Sequence, residues 1–158
     1  MSVDPSPEFV ERMGSALTHA GLPRVPSLVF SALLTDDDGR MTAAELASRL
    51  ELSAGSISGA VRYLEQVGMA RRERERGSRR DVYVVDDDAW HGAMMRSDQV
   101  YGPMIAALSS GLATYAADSP VHRRLLLTRE FLTFIDDEMV ALAERWERRR
   151  AEIEDAPT

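Results

Sequence analysis

The chain contains no cysteine and no lysine among its 158 residues. Without cysteine, neither a disulfide nor a thiolate metal site can hold the fold, which suits a reducing cytosol. All 19 basic residues are therefore arginine, and the more numerous acidic residues give a net charge of -7. A chain this acidic can still bind nucleic acid, but only through a face on which its arginines are concentrated.

The sequence also lacks the patterns of catalysis and of membrane insertion. Its three histidines lie far apart, no pair has metal-ligand spacing, and no glycine-rich phosphate-binding loop occurs. The longest uncharged stretch, residues 99–117, contains proline, glycine and hydroxyl residues, which is typical of a buried helix rather than a membrane span. The N-terminal residues show no basic leader ahead of an apolar core. We expect no enzyme activity, no catalytic residues, no cofactor, no metal, no membrane contact and a cytoplasmic location.

The apolar content of 44% is that of a globular chain, and its spacing predicts two helices at the N-terminal end. Ser6 followed by Pro7 is typical of a helix start, and apolar residues then recur at helical spacing until Gly21. The run SLVFSALL, residues 27–34, is too apolar for a surface helix. We therefore expect an amphipathic helix followed by a buried one.

A helix-turn-helix pattern comes next. Residues 42–45, TAAE, form a capping box, and Ser53 is the N-cap of a second helix that should end at Val67, before Gly68. Between the two helices, Glu51 occupies a position where glycine is frequent, so either the turn is a looser variant or Glu51 adopts a positive φ. The second helix has two faces. Its inward face is predicted to hold Ile57, Ala60, Val61 and Leu64, and its outward face Ser56, Ser58, Arg62 and Tyr63.

Positive charge is gathered directly after this helix, with six arginines in the ten positions from 71 to 80. Strand character over Met69–Glu75 and Asp81–Val85, with the turn sequence RGSR between them, predicts a β-hairpin. The arginine run therefore lies on a strand and on the turn that follows it.

Strand alternation sorts the charges of this hairpin. We expect Glu73 and Glu75 partly to neutralise Arg71 and Arg72 along the strand. The uncompensated charges are then predicted at the turn: Arg76, Arg79 and Arg80. The same charges allow two alternative interpretations. They could form a solvated edge that discourages sheet aggregation, or a surface that binds an acidic protein.

Two long helical segments follow the hairpin, each with apolar residues at alternating spacings of four and three. The first series runs from Trp90 to Tyr115 and the second from Val121 to Trp146. Pro103 should kink or break the first segment. These stripes could pack on each other within one chain, but we favour a dimer interface because so small a domain offers them little cover.

The order of elements predicts a winged helix-turn-helix: a mainly α fold with a small β-hairpin wing (α+β), and dimerisation helices at its N- and C-terminal ends. We expect residues 1–24 to form an N-terminal helix that contributes to dimerisation, residues 25–86 the DNA-binding domain, and residues 87–158 a C-terminal helical dimerisation region. A helix start rich in small hydroxyl residues suits the major groove of double-stranded DNA, and arginines in a wing can replace counterions at the flanking backbone or minor groove.

The stretch MTAAELASRLELSAGSISGAVRYLEQVGMARRERERGSRRDVYVV, residues 41–85, resembles the winged-helix core of MarR-type bacterial transcription regulators, most closely the GbsR-like branch. The resemblance implies a homodimer with intertwined terminal helices, DNA as the partner and often a small-molecule effector. It places the recognition helix at Ser53–Val67 and the wing at Arg72–Arg80. The implied DNA-binding residues are Ser53, Ser56, Ser58, Arg62, Tyr63, Arg76, Arg79 and Arg80.

We therefore expect a sequence-specific DNA-binding transcription regulator that binds a pseudo-palindromic operator as a homodimer. The alternative is a winged-helix protein–protein interaction module without specific DNA binding. Because phosphate contacts release counterions, only the first hypothesis predicts binding that weakens steeply with salt.

Overall fold

The structure, a computed structural model, describes residues 7–75, 77, 80–94 and 97–156. Two compact units make up the chain, one ending at Ala93 and the other beginning at Met94. The predicted fold class, mainly helical with a small antiparallel sheet, is confirmed. The elements are α1 (Pro7–His19), α2 (Arg24–Leu34), β1 (Arg40–Thr42), α3 (Ala43–Leu50), α4 (Ala54–Val67), β2 (Arg71–Arg74), β3 (Asp81–Val84), α5 (Ala89–Met94), α6 (Ser97–Leu112) and α7 (Pro120–Glu154).

Helix α2 is the centre of the first unit, and its residues 26–33 are all buried. A helix can be buried on every side only if its polar groups find partners. The hydroxyls of Ser27 and Ser31 accordingly donate to the carbonyls of Pro23 and Ser27, each at 2.8 Å. Helix α1 packs closely on α2, because a Cβ on Gly14 would lie 2.7 Å from Leu28 Cδ2.

The predicted capping box begins α3. Thr42 Oγ1 accepts from the backbone N–H of Glu45 at 3.2 Å, and the Glu45 carboxylate accepts from the N–H of Thr42 at 2.7 Å. At the other end, Glu51 adopts the left-handed conformation with φ 54°, so the positive-φ alternative is correct, at a cost on the order of 1 kcal/mol. Arg49 donates to the carbonyl of Ala32 and to Thr35 Oγ1, both at 3.0 Å, and thereby ties α3 to the last turn of α2.

The wing belongs to a three-stranded antiparallel sheet in the order β1-β3-β2. The register pairs Arg40 and Arg71 with Val84 from either side, and Met41 and Arg72 with Tyr83. Met41 and Tyr83 are buried in the main core. Strand β1 was not predicted, because three residues are too short to show an alternating pattern.

Helices α6 and α7 pack on each other in the second unit. A Cβ on Gly111 of α6 would lie 3.2 Å from Leu125 Cδ1 of α7, and these two residues belong one to each predicted heptad series. Most of the second series is half-buried, so it serves a contact within the chain. Pro103 lies inside α6, which continues on both sides of it. Of the two predicted outcomes, a kink or a break, the break is therefore wrong.

Most of the uncharged stretch 99–117 lies in α6. Among the residues that the structure describes, no helix combines the length and the apolar character that crossing a membrane requires.

Candidate nucleic-acid interface

Helix α4 presents a polar, small-residue face outward. Ile57, Ala60, Val61 and Leu64 are buried as predicted, while Ser56, Ser58 and Arg62 are exposed. Ser53 is the N-cap, and its Oγ accepts from the N–H of Ser56 at 3.1 Å. The two serine hydroxyls also share a hydrogen bond of 2.9 Å, so both side chains are held at the positive end of the helix.

Two glycines make this outward face unusually flat. A Cβ on Gly59 would meet nothing within 4 Å, and one on Gly55 would meet only Ser53 Oγ at 3.9 Å. Packing among the described residues therefore requires neither glycine, although each costs about 0.5–1 kcal/mol relative to alanine in a helix. Gly55 and Gly59 share the face of Ser58 and Arg62 by the helical repeat. Such a face allows another surface to approach the helix backbone closely.

Tyr63 departs from the prediction. Its side chain is half-buried and packs against the hydrophobic core, so the prediction that it points largely outward is wrong. Tyr63 follows Arg62 by about 100° around the helix, which carries it from the flat face towards the core.

The arginines of β2 have partners that the sequence did not reveal. Arg71 pairs with Glu73 and, at 2.9 Å, with Asp86. Arg72 lies 3.4 Å from the carboxylate of Asp81 and 4.0 Å from that of Glu65 on α4. The expectation that the glutamates of the strand neutralise both arginines is thus correct for Arg71 and wrong for Arg72.

Three contacts were predicted at the turn of the wing, and the structure describes one of them, Arg80. Arg76 and Arg79 lie outside the described residues. Arg80 is exposed, but its positive charge acts on Glu45. The pKa of Glu45 lies below its ordinary value, chiefly because the Thr42 backbone N–H and hydroxyl donate to its carboxylate, with a smaller contribution from Arg80. The prediction that Arg80 is uncompensated is therefore wrong.

The outer face of the sheet carries a chain of ion pairs, which we call the sheet lattice: Arg40, Glu73, Arg71 and Asp86. Arg40 donates to Glu73 at 2.8 Å, and Glu73 and Asp86 both pair with Arg71. Val82 and Val84 are buried on the strand that lies between Arg40 and Arg71. The arginine stems can cover these valines while their charged ends stay in water.

The sheet lattice predicts a pH dependence of stability. The pKa of Asp86 is lowered, first by the hydrogen bond from Arg71 and less by its charge. A carboxylate whose pKa is lower in the folded state stabilises the fold above its unfolded pKa, ~3.9, and loses that contribution as the pH falls through the folded value. In urea titrations, the stability difference between wild type and Asp86→Asn should therefore shrink as the pH falls from ~5 to ~3. A constant difference would contradict the role of this pair.

A recognition-type helix after a tight turn, followed by an antiparallel wing and set on a helical scaffold, defines a winged helix-turn-helix protein. Residues 20–81 match the family model described as MarR family, and residues 88–149 match that of MmpR5-like MarR family transcriptional regulators. The chain is therefore similar over most of its length to the MarR family, whose members are transcription regulators and not enzymes.

Two relatives support this assignment over most of the chain. The HTH-type transcriptional regulator MmpR5 of Mycobacterium tuberculosis is 27% identical over 146 residues, which cover 92% of this chain and 88% of that protein. A transcriptional regulator of known crystal structure is also 27% identical, with a TM-score of 0.79, and the match covers 89% of this chain and 97% of that one.

Proposed function

We propose that the protein is a homodimeric, sequence-specific DNA-binding transcription regulator that places α4 in the major groove and its wing on the flanking backbone or minor groove. The observation that carries the proposal is the flat outward face of α4. There Gly55 and Gly59, which packing among the described residues does not require, share a face with Ser58 and Arg62. Glycine there weakens the helix, and close approach to a partner is a reason to keep it. We assign DNA contacts to Ser53, Ser56, Ser58, Arg62, Arg76, Arg79 and Arg80, and to the exposed part of the half-buried Tyr63.

The start of α4 supports this placement physically. The positive end of the helix dipole and exposed serine hydroxyls both suit phosphate oxygens and base edges. Arg62 lies two turns further along the same face and can reach a guanine or a phosphate. Within the described residues Arg62 makes no ion pair, so it can meet DNA without first leaving a carboxylate.

A homodimer is supported by an apolar face on α7, which we call the α7 stripe. Leu127, Phe131 and Phe134 are exposed at 60, 60 and 59%. Leu127 and Phe134 lie about half a turn from Leu125, which faces α6. Aromatic side chains this exposed on a monomer mark an interaction surface, and a second copy is the partner that we propose.

This proposal assigns a role to each part of the chain. Residues 25–86 bind DNA, and residues 1–24 and 87–158 contribute to the dimer. Two-fold symmetry then sets a pseudo-palindromic operator with half-sites ~10 bp apart or a multiple of that spacing. The family resemblance extends the proposal to a small-molecule effector of unidentified chemistry and to a cytoplasmic location. The GbsR-like branch rests on the resemblance of residues 41–85 alone.

A gel-shift experiment tests the function directly. The purified chain should retard the DNA upstream of its own gene in preference to an unrelated duplex of the same length, and the affinity should fall steeply as salt is raised. Equal retardation of both duplexes would contradict sequence specificity. No retardation of either duplex at low salt would favour the alternative, an interaction module for protein partners.

A further inference from the structure

The three arginines of β2 differ in their ion-pair partners. Arg71 is paired with Glu73 and Asp86, and Arg72 with Asp81 and Glu65. Arg74 is exposed and makes no ion pair or hydrogen bond of its side chain within the described residues. Two of the three cations are therefore already engaged in the free protein, and one is available.

Strand geometry places Arg74 beside the recognition helix. Residues two apart on a strand share a face, so Arg74 lies on the same face as Arg72. That face is turned towards α4, since Arg72 Nε is 4.0 Å from the carboxylate of Glu65 on that helix. Arg74 is the next residue on this face in the direction of the wing turn.

The carboxylates that could neutralise Arg74 are occupied or turned away. Its partner in the strand register is Asp81, but that carboxylate lies 3.4 Å from Arg72. Glu73 and Glu75 precede and follow Arg74, so strand alternation puts both on the opposite face. Glu73 is also paired with Arg40 and Arg71 there. The free charge at Arg74 is thus a result of how the neighbouring charges are paired.

We propose that Arg74 binds the phosphodiester backbone of the duplex that α4 reads, and that Arg72 is a positioning residue that fixes the wing strand against α4. This inference rests on the proposed function. A guanidinium without a carboxylate partner exchanges only its counterion atmosphere for a phosphate, and it can donate two parallel hydrogen bonds to that group. Arg71 and Arg72 would first have to leave their carboxylates, so they contribute less to DNA affinity.

The test measures binding to a mixed-sequence duplex by fluorescence anisotropy at several salt concentrations. The slope of log affinity against log salt counts the phosphates that the protein neutralises, ~0.9 for each contact. We expect Arg74→Gln to reduce the magnitude of the slope by about 1 for each copy bound to the duplex. Arg74→Lys keeps the charge and should keep the slope. Arg71→Gln and Arg72→Gln on the same strand remove charges that are already paired with carboxylates, so each should reduce the slope by less than half as much as Arg74→Gln does.

The outcomes separate this inference from the function on which it rests. An unchanged slope for Arg74→Gln, in a protein that otherwise binds the duplex, would overturn the inference and leave the proposed function standing. A loss of slope in Arg71→Gln equal to that in Arg74→Gln would overturn it as well. Failure of the wild-type chain to bind any duplex at low salt would overturn the proposed function itself. Circular dichroism of each variant shows that the comparison is made between folded proteins.

Discussion

Replacing Gly59 by leucine is expected to stabilise the fold and to weaken DNA binding strongly. Leucine is favoured over glycine in a helix by about 0.8 kcal/mol, and a Cβ at this position meets nothing within 4 Å. The melting temperature should rise by ~2–4 °C. A leucine side chain on the flat face of α4 would, however, hold the helix away from the groove, and DNA affinity should fall about 100-fold, or ~2.8 kcal/mol. Thermal melts and gel shifts of the same preparation measure the two effects.

The chain offers a graded variant and a matched control for this experiment. Gly59→Ala adds one methyl group and should stabilise the fold with a smaller loss of DNA affinity. Gly92 of α5 is another exposed helical glycine with open space around it, and Gly92→Leu should leave DNA affinity unchanged. Wild-type affinity in Gly59→Leu would mean that α4 does not face DNA. The opposite signs of the two effects exclude misfolding as the cause of lost binding.

The second large effect is expected at the α7 stripe. Replacing Phe131 and Phe134 by glutamine should convert the dimer into a monomer, because burying a phenylalanine contributes about 1.5–3 kcal/mol and each dimer buries two from each copy. The dissociation constant should rise by ~1,000-fold or more, equivalent to ~4 kcal/mol. Sedimentation velocity over a range of protein concentrations measures this change. Both side chains are largely exposed in the single chain, so the helix content of the monomer should be preserved.

Val140 provides the control for that double variant. It is exposed at 61% on the same helix, but lies about a third of a turn around from Phe134. Val140→Gln should leave the dimer intact. A dimer that survives loss of both phenylalanines, or that is weakened equally by Val140→Gln, would contradict the assignment of the interface to the α7 stripe. Affinity for a duplex with two half-sites should fall in the monomer, and affinity for one half-site should not.

What the sequence predicts well is local along the chain. The capping box of Thr42 and Glu45 and the N-cap at Ser53 depend on residues three apart, so the letters of the sequence are sufficient to find them. The inward face of α4 follows from helical periodicity in the same way. The glycines of the outward face also stand in the sequence, in the stretch AGSISG. Their meaning depends on the open space that the described residues leave around them.

What the sequence does not predict depends on register and on neighbouring elements. Arg71 meets Asp86, and Arg40 meets Glu73, only because β1 and β2 both pair with β3. Charge counting along one strand therefore assigned the wrong partner to Arg72 and left Arg74 out of the predicted site. The heptad pattern of α7 identified the series from Val121 to Trp146, in which Leu125 packs on Gly111 of α6 in the same chain. This series is not the α7 stripe. The more exposed phenylalanines lie on the other side and are too few to form a long repeat.

The sheet lattice has a consequence for how ionic strength acts on the protein. Its four side chains come from β1, from β2 and from the segment that follows β3. All four are solvent-accessible, so salt screens their attraction as it screens attraction to phosphate. Raising the salt concentration would then have two effects at once. It would weaken the ion pairs that hold the wing in place, and it would weaken the electrostatic contact of the wing with DNA. The slope of log affinity against log salt would then overstate the number of phosphates that the protein contacts. Part of the slope would come from the weakening of the ion pairs that hold the wing. Only the difference between slopes of variants with the same lattice, such as wild type and Arg74→Gln, isolates a single phosphate contact.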